Sequence, residues 1–181
     1  SSTGTEKRKK ALSRKWMMQA IDESLSRLQT DYVDIWYLHH VDWETPIEET
    51  VRTIADVISA GKVRHWGFSN HRGWQIGELV HAAVALGAPQ PVVAQPYYNA
   101  FNRMPETDIL PACHYYGIGV VPYSPLARGV LAGIYKPGEA PSPESRAGLK
   151  DRRLMETEWR EESLIAAQKI KRYCEKRGMS I

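Results

Sequence analysis

Strand-like runs and helical periodicity alternate along almost the whole chain, and this alternation restricts the fold more than any other feature of the sequence. Met17, Ile21, Leu25 and Leu28 recur on one helical face, with Ser13 placed to cap it. The run Tyr32-Val33-Asp34-Ile35-Trp36-Tyr37-Leu38, rich in β-branched and aromatic residues, reads as a buried strand ending at His39. Thr45-Pro46-Ile47-Glu48 predicts a helix start, because Thr45 and Glu48 can form a capping box and Pro46 suits the first helical position. Ile47, Val51, Ile54 and Ile58 form the inward stripe of that helix, and Gly61 ends it.

The cycle then repeats. Strands are predicted over 63–68, 91–95 and 119–123, and helices over 73–86, 106–116 and 161–177. Ile76, Leu79 or Val80, Ala83 and Leu86 face inward on the 73–86 helix. Residues 133–148 are Pro- and Gly-rich and predict a loop longer than structural connections usually need.

Such alternation implies parallel strands with right-handed crossovers, as in a doubly wound sheet or a (β/α)8 TIM barrel. A doubly wound dinucleotide fold expects a G-x-G-x-x-G turn after its first strand, and the sequence has none. Polar residues fall instead at the carboxyl ends of successive strands: His39, Ser69-Asn70, Gln95 and Tyr123-Ser124. That is where a barrel builds its site. A complete barrel needs eight strands and about 250 residues. The 181 residues offer four strand segments, so a single domain over 1–181 with about half the barrel strands is expected.

Composition narrows the function classes. A hydrophobic fraction of 43% and a charged fraction of 25% suit a packed globular chain rather than a disordered one. No apolar run reaches the roughly 20 residues that cross a bilayer. A net charge of +3 is too small to point to nucleic acid. The run Lys7-Arg8-Lys9-Lys10 reads as a solvated loop rather than a polyanion site. Cys113 and Cys174 stand far apart without metal-ligand spacing, as expected of reduced thiols in a cytoplasmic protein.

Four motifs carry a family resemblance. Asp31 to His39 resembles the fourth-strand signature of aldo-keto reductases, and Gly67-Phe68-Ser69-Asn70 the end of their fifth strand. Gln95 in Ala-Gln-Pro-Tyr-Tyr-Asn is similar to the sixth, and Val121-Pro122-Tyr123-Ser124-Pro125-Leu126-Ala127-Arg128-Gly129 to the seventh. The helix start at Thr45 resembles the bacterial branch related to potassium-channel β-subunits. On this resemblance strands 1–3 and the strand 8 region are expected outside the chain.

The resemblance implies an oxidoreductase that passes the 4-pro-R hydride of NADPH to an aldehyde or ketone, yielding NADP+ and an alcohol. A tyrosine, tuned by a lysine and an aspartate, donates the proton in that family. Those three are expected before Ser1, and only the carbonyl-orienting histidine is matched here, by His39. His40 is left to a structural or rim role, because successive strand residues point to opposite faces.

The same resemblance gives Ser69, Asn70 and Gln95 the nicotinamide carboxamide, which offers a donor and an acceptor that hydroxyl and amide groups can answer. For Ser69-Asn70 a helix cap is the competing reading. Tyr123 is expected to stack on the nicotinamide, or else to be a core aromatic. The backbone of Ser124, Pro125, Leu126, Ala127, Arg128 and Gly129 is expected to cradle the pyrophosphate. Arg128 and Arg146 are candidate phosphate contacts, with a solvated arginine as the alternative for each. Relatives often carry a lysine where this chain has Ile134, between Gly133 and Tyr135. Trp43 and Trp74 are expected to line the substrate mouth, with core or rim packing as the equal alternative. Two other readings stand beside the reductase. One is a regulatory subunit that binds NADP(H) with little turnover; the other is a half-barrel that dimerises.

Overall fold

The computed structural model describes residues 11–181, so the Lys7-Arg8-Lys9-Lys10 run lies outside the described residues. The chain divides into two compact units. The first takes in residues up to Pro96 together with Met104–Val121; the second consists of Tyr97–Arg103 and Pro122–Ile181.

In the first unit the order is α1 (Arg14–Leu28), β1 (Val33–Leu38), α2 (Ile47–Ser59), β2 (Val63–Ser69), α3 (Gly73–Ala85), β3 (Val93–Gln95), α4 (Ile109–Tyr115) and β4 (Gly119–Val120). The strands form one sheet in the order β1-β2-β3-β4, every pair parallel. A doubly wound sheet reverses its strand order at a switch point. This sheet does not, and it is a partial (β/α)8 barrel.

Register decides which residues form the core. Trp36 pairs with Trp66, and Leu38 with Phe68, which in turn pairs with Ala94. That face is covered by Met17 of α1, Val51 and Ile54 of α2, and Ile76, Leu79, Val80 and Ala83 of α3. Trp66 and Phe68 are almost wholly buried, and each such side chain contributes about 1.5–3 kcal/mol over leaving it in water. Trp66 also donates its indole N–H to the Pro89 carbonyl (2.7 Å).

Several expectations are corrected. β1 is not buried on both faces: Asp34 is exposed at the start of the strand, and Ile35, on the face opposite Trp36 and Leu38, is 42% exposed. The Thr45–Glu48 capping box does not form. Helix α2 starts at Ile47 with Pro46 at the cap, and the Thr45 hydroxyl donates instead to Asp42 Oδ2 (2.7 Å). Ser13 sits at the α1 cap, but its side chain makes no cap bond; Glu49 of α2 accepts the Arg14 N–H instead (2.8 Å). Leu28 leaves the α1 stripe and is largely exposed. Residues 104–106 form a 3-10 turn, so the helix expected over 106–116 starts only at Ile109.

The second unit has almost no sheet. A single parallel bridge joins Tyr97 to Tyr123, which is all that remains of the expected strand beyond Val120. Its helices are α5 (Arg152–Thr157) and α6 (Glu161–Glu175). Ala127, Val130, Leu131, Tyr135, Ala147, Leu154, Leu164 and Ala167 make its core. Helix α5 has no signature of its own in the sequence beyond Asp151, whose carboxylate accepts the Leu154 N–H (2.8 Å).

Candidate functional site

In the first unit the expected site residues sit where parallel strands end. Ser69 is the last residue of β2 and pairs with Gln95, the last of β3. The Ser69 hydroxyl donates to the Gln95 carbonyl (2.6 Å). With its proton committed, Ser69 Oγ offers an approaching ligand only lone pairs, which suits an amide N–H. Asn70 adopts a left-handed conformation (φ 58°), which asparagine tolerates better than most residues. Its Nδ2 donates to the His39 carbonyl (2.8 Å), tying the end of β1 to the end of β2. Neither residue caps α3, whose cap is Arg72.

His39 lies just past β1 and is exposed. The expected divergence of His39 and His40 does not occur. Strand alternation stops at Leu38, and the two imidazoles lie against each other, tilted by 33° with centroids 4.1 Å apart. Both rings therefore stand together beyond the strand end.

Two residues that hold this region belong to none of the four sequence motifs. His71 is buried, and its Nδ1 donates to the Ser69 carbonyl (2.7 Å). Burial lowers the His71 pKa, the Ser69 bond opposes that, and His40 adds to the lowering, so the ring is neutral near pH 7. Asp42 organises the loop that follows His39 and His40. Its carboxylate accepts N–H bonds from Leu12 (3.0 Å), Glu44 (2.9 Å) and Thr45 (3.2 Å) besides the Thr45 hydroxyl. Burial pushes Asp42 upward, but those hydrogen bonds outweigh it and leave its pKa below the usual value. An acidic residue followed within three positions by Thr was the available signal for such a turn. Trp43 and Trp74 are exposed and lie together, centroids 6.1 Å apart, over a cavity of about 230 Å³ that His71 and Gln75 also line.

The second unit brings its own candidates together. Ser124, Pro125, Leu126, Arg128 and Gly129 line an open cavity of about 680 Å³ with Arg146, which comes from the long loop. Ser124, Ala127, Arg128 and Gly129 all have positive φ (52°, 46°, 55° and 101°). This coiling turns the Ala127 and Gly129 N–H groups onto the Ser124 and Leu126 carbonyls (both 2.9 Å). Those two donors close the loop rather than face the cavity. Arg128 Nε is buried without a hydrogen-bond partner. Arg146 Nη2 bonds Asp151 Oδ2 (2.9 Å), and that bond, with the one from Leu154, keeps the Asp151 pKa low. Exposed Ile134 stands on the same cavity. Tyr123 stacks on Tyr97 (5.2 Å, 20°), so one face of its ring is covered.

Residues 3–181 match the Aldo/keto reductase family, and the chain belongs to that family. It is 46% identical over 143 residues to a probable voltage-gated potassium channel subunit beta of Arabidopsis thaliana, covering 78% of this chain and 43% of that protein. It is 31% identical over 170 residues to a versiconal hemiacetal acetate reductase of Aspergillus parasiticus, covering 94% and 49% respectively. Among solved structures, a glycerol dehydrogenase from Gluconobacter oxydans matches with a TM-score of 0.75 at 29% identity, over 93% of this chain and 49% of that one. The chain spans about half the length of the relatives it matches. No helix among the described residues is long and apolar enough to cross a membrane.

Proposed function

We propose that the chain serves an NADPH-dependent oxidoreductase that reduces an aldehyde or ketone to an alcohol by hydride transfer. The observation that carries this reading is the grouping of His39, Ser69, Asn70 and Gln95 at the carboxyl ends of three adjacent parallel strands, joined by the Ser69–Gln95 and Asn70–His39 hydrogen bonds. Ser69, Asn70 and Gln95 would hold the carboxamide, and Tyr123 would stack on the nicotinamide. Arg128, with its buried Nε lacking a partner, and Arg146 would hold phosphate beside the 124–129 loop. NADPH supplies the hydride when bound.

His39 would orient the carbonyl and help move its proton. It is exposed and so is open to a substrate. His71 acts one step back, holding the Ser69 carbonyl as a neutral donor. The substrate is a small carbonyl compound and the compartment the cytoplasm; neither nucleic acid nor membrane enters the reading.

The protein expressed from the complete reading frame should oxidise NADPH in the presence of a simple aldehyde. His39→Ala should lower kcat by about 10²-fold or more, the loss typical of a positioned proton-transfer group. A second reading rests on the 46% identity to the plant channel subunit: a cofactor-binding regulatory subunit. NADPH that binds but is never oxidised by any aldehyde supports that reading and sinks the reductase.

A further inference from the structure

We propose that the second unit carries a binding site for a compact organic ammonium ion, built from the Glu158 carboxylate and the rings of Tyr97 and Phe101. These residues line a cavity of about 540 Å³ together with Asn102, Arg160 and Glu162. The cavity is separate in its lining from the one holding Arg128 and Arg146.

Glu158 is the anchor. It is only 3% exposed, and its Oε1 has no hydrogen-bond partner. A carboxylate oxygen buried without a hydrogen bond is a costly arrangement unless something completes it. Arg160 lines the same cavity but does not complete it: burial raises the Glu158 pKa, and Arg160 offsets this only in part. Glu162 also lines the cavity, while Glu156 is already paired with Arg152 (2.7 Å), so with Glu158 ionised two carboxylates meet the Arg160 guanidinium. The deficit is positive charge.

The rest of the lining decides what kind of cation fits. Among the described residues no three His, Cys, Asp or Glu side chains stand close enough to share a metal ion. Aromatic walls suit an alkylated or arylated ammonium, which the ring faces attract. The walls are also held in place before any ligand arrives. Asn99 is buried, and its Oδ1 accepts the N–H groups of Phe101 (2.9 Å) and Asn102 (3.0 Å). Asn102 Nδ2 donates to the Tyr97 carbonyl (2.6 Å), leaving its Oδ1 to accept from an ammonium N–H. Tyr97 is braced by its stack on Tyr123. A loop fixed in this way loses little freedom on binding.

The test is calorimetric titration of the purified protein with benzylammonium and, separately, with its neutral counterpart benzyl alcohol. Benzylammonium should bind once per chain at millimolar or lower concentration, and benzyl alcohol at least tenfold more weakly. Glu158→Gln keeps the shape, removes the charge, and should weaken benzylammonium at least tenfold. Equal binding of the two probes, unchanged binding by Glu158→Gln, or no binding at all overturns the proposal. If the variant fails to fold, amide shift mapping on the unaltered protein decides. Shifts confined to 97–102 and 156–166 support the site, and shifts centred elsewhere refute it.

Discussion

The two units hold candidate site residues by different means. In the first, strand ends do the placing: the β2–β3 register sets Ser69 beside Gln95, and side-chain bonds to main-chain carbonyls fix Asn70 and His71. In the second, a loop with a run of positive φ values coils around its own small core, and arginines are placed by turns rather than by strands. Regular structure satisfies its backbone internally and leaves side chains for chemistry. A coiled loop spends backbone N–H groups on its own closure, so its ligand-facing donors are mainly side chains. Arg128 and Arg146 line the cavity beside that loop.

Substitutions can break this contrast, and the largest effects belong to the cores. Trp66→Ala should cost about 3–5 kcal/mol, losing a fully buried ring and its bond to Pro89. Leu154→Ala should cost about 2–5 kcal/mol in the second unit, measured by urea unfolding. A Leu154→Ala cost no larger than that of a surface change would mean the loop unit has no working core.

Two glycines come next, at about 1–3 kcal/mol or somewhat more each. A Cβ at Gly67 would stand 2.3 Å from the Val93 carbonyl oxygen, forcing β2 and β3 apart; at Gly148 it would stand 2.1 Å from that of Ser142. Gly67→Ala should also weaken NADPH binding, since the β2–β3 register places Ser69 beside Gln95.

Asp42→Ala follows, at about 1–3 kcal/mol, because several N–H donors lose their acceptor. The effect on stability should be accompanied by a lower kcat, as this loop follows His39.

A smaller effect appears on acidification. Asp151 has a lowered folded pKa, so its contribution is present above the ordinary value of 3.8 and is lost as pH falls through the folded value. Asp151→Asn should therefore flatten the acid limb of thermal melts monitored between pH 5 and about pH 2. Smallest of all is Asp34→Asn. The Arg64–Asp34 pair (2.8 Å) lies on exposed side chains, and its loss should cost about 1 kcal/mol or less.

How much of this was readable beforehand differs between the units for the same reason. Period and β-branched runs located every helix and strand of the first unit to within a few residues. Val51, Ile54, Ile76 and Ala83 are buried as their spacing requires. What escaped were contacts between segments distant in sequence. Glu49 receiving the α1 N-terminus, or His71 reaching back to Ser69 beyond the strand end, leaves no periodic trace. The capping box at Thr45 failed because a competing acceptor, Asp42, stood three residues earlier. In the second unit the long loop was foreseen as a loop. Its core, with Tyr135, Ala147 and Leu154, has no period to detect, and neither does the burial of Glu158. Arg146 lines one cavity with the 124–129 loop, although nothing in local pattern required it.

Isotope transfer tests the proposed chemistry most directly. The protein expressed from the complete reading frame would be given a simple aldehyde and NADPH deuterated at the 4-pro-R position, and the alcohol analysed by mass. Hydride transfer on the expected face predicts an alcohol that carries the deuterium. Unlabelled alcohol, or cofactor that binds and is never oxidised, would contradict it.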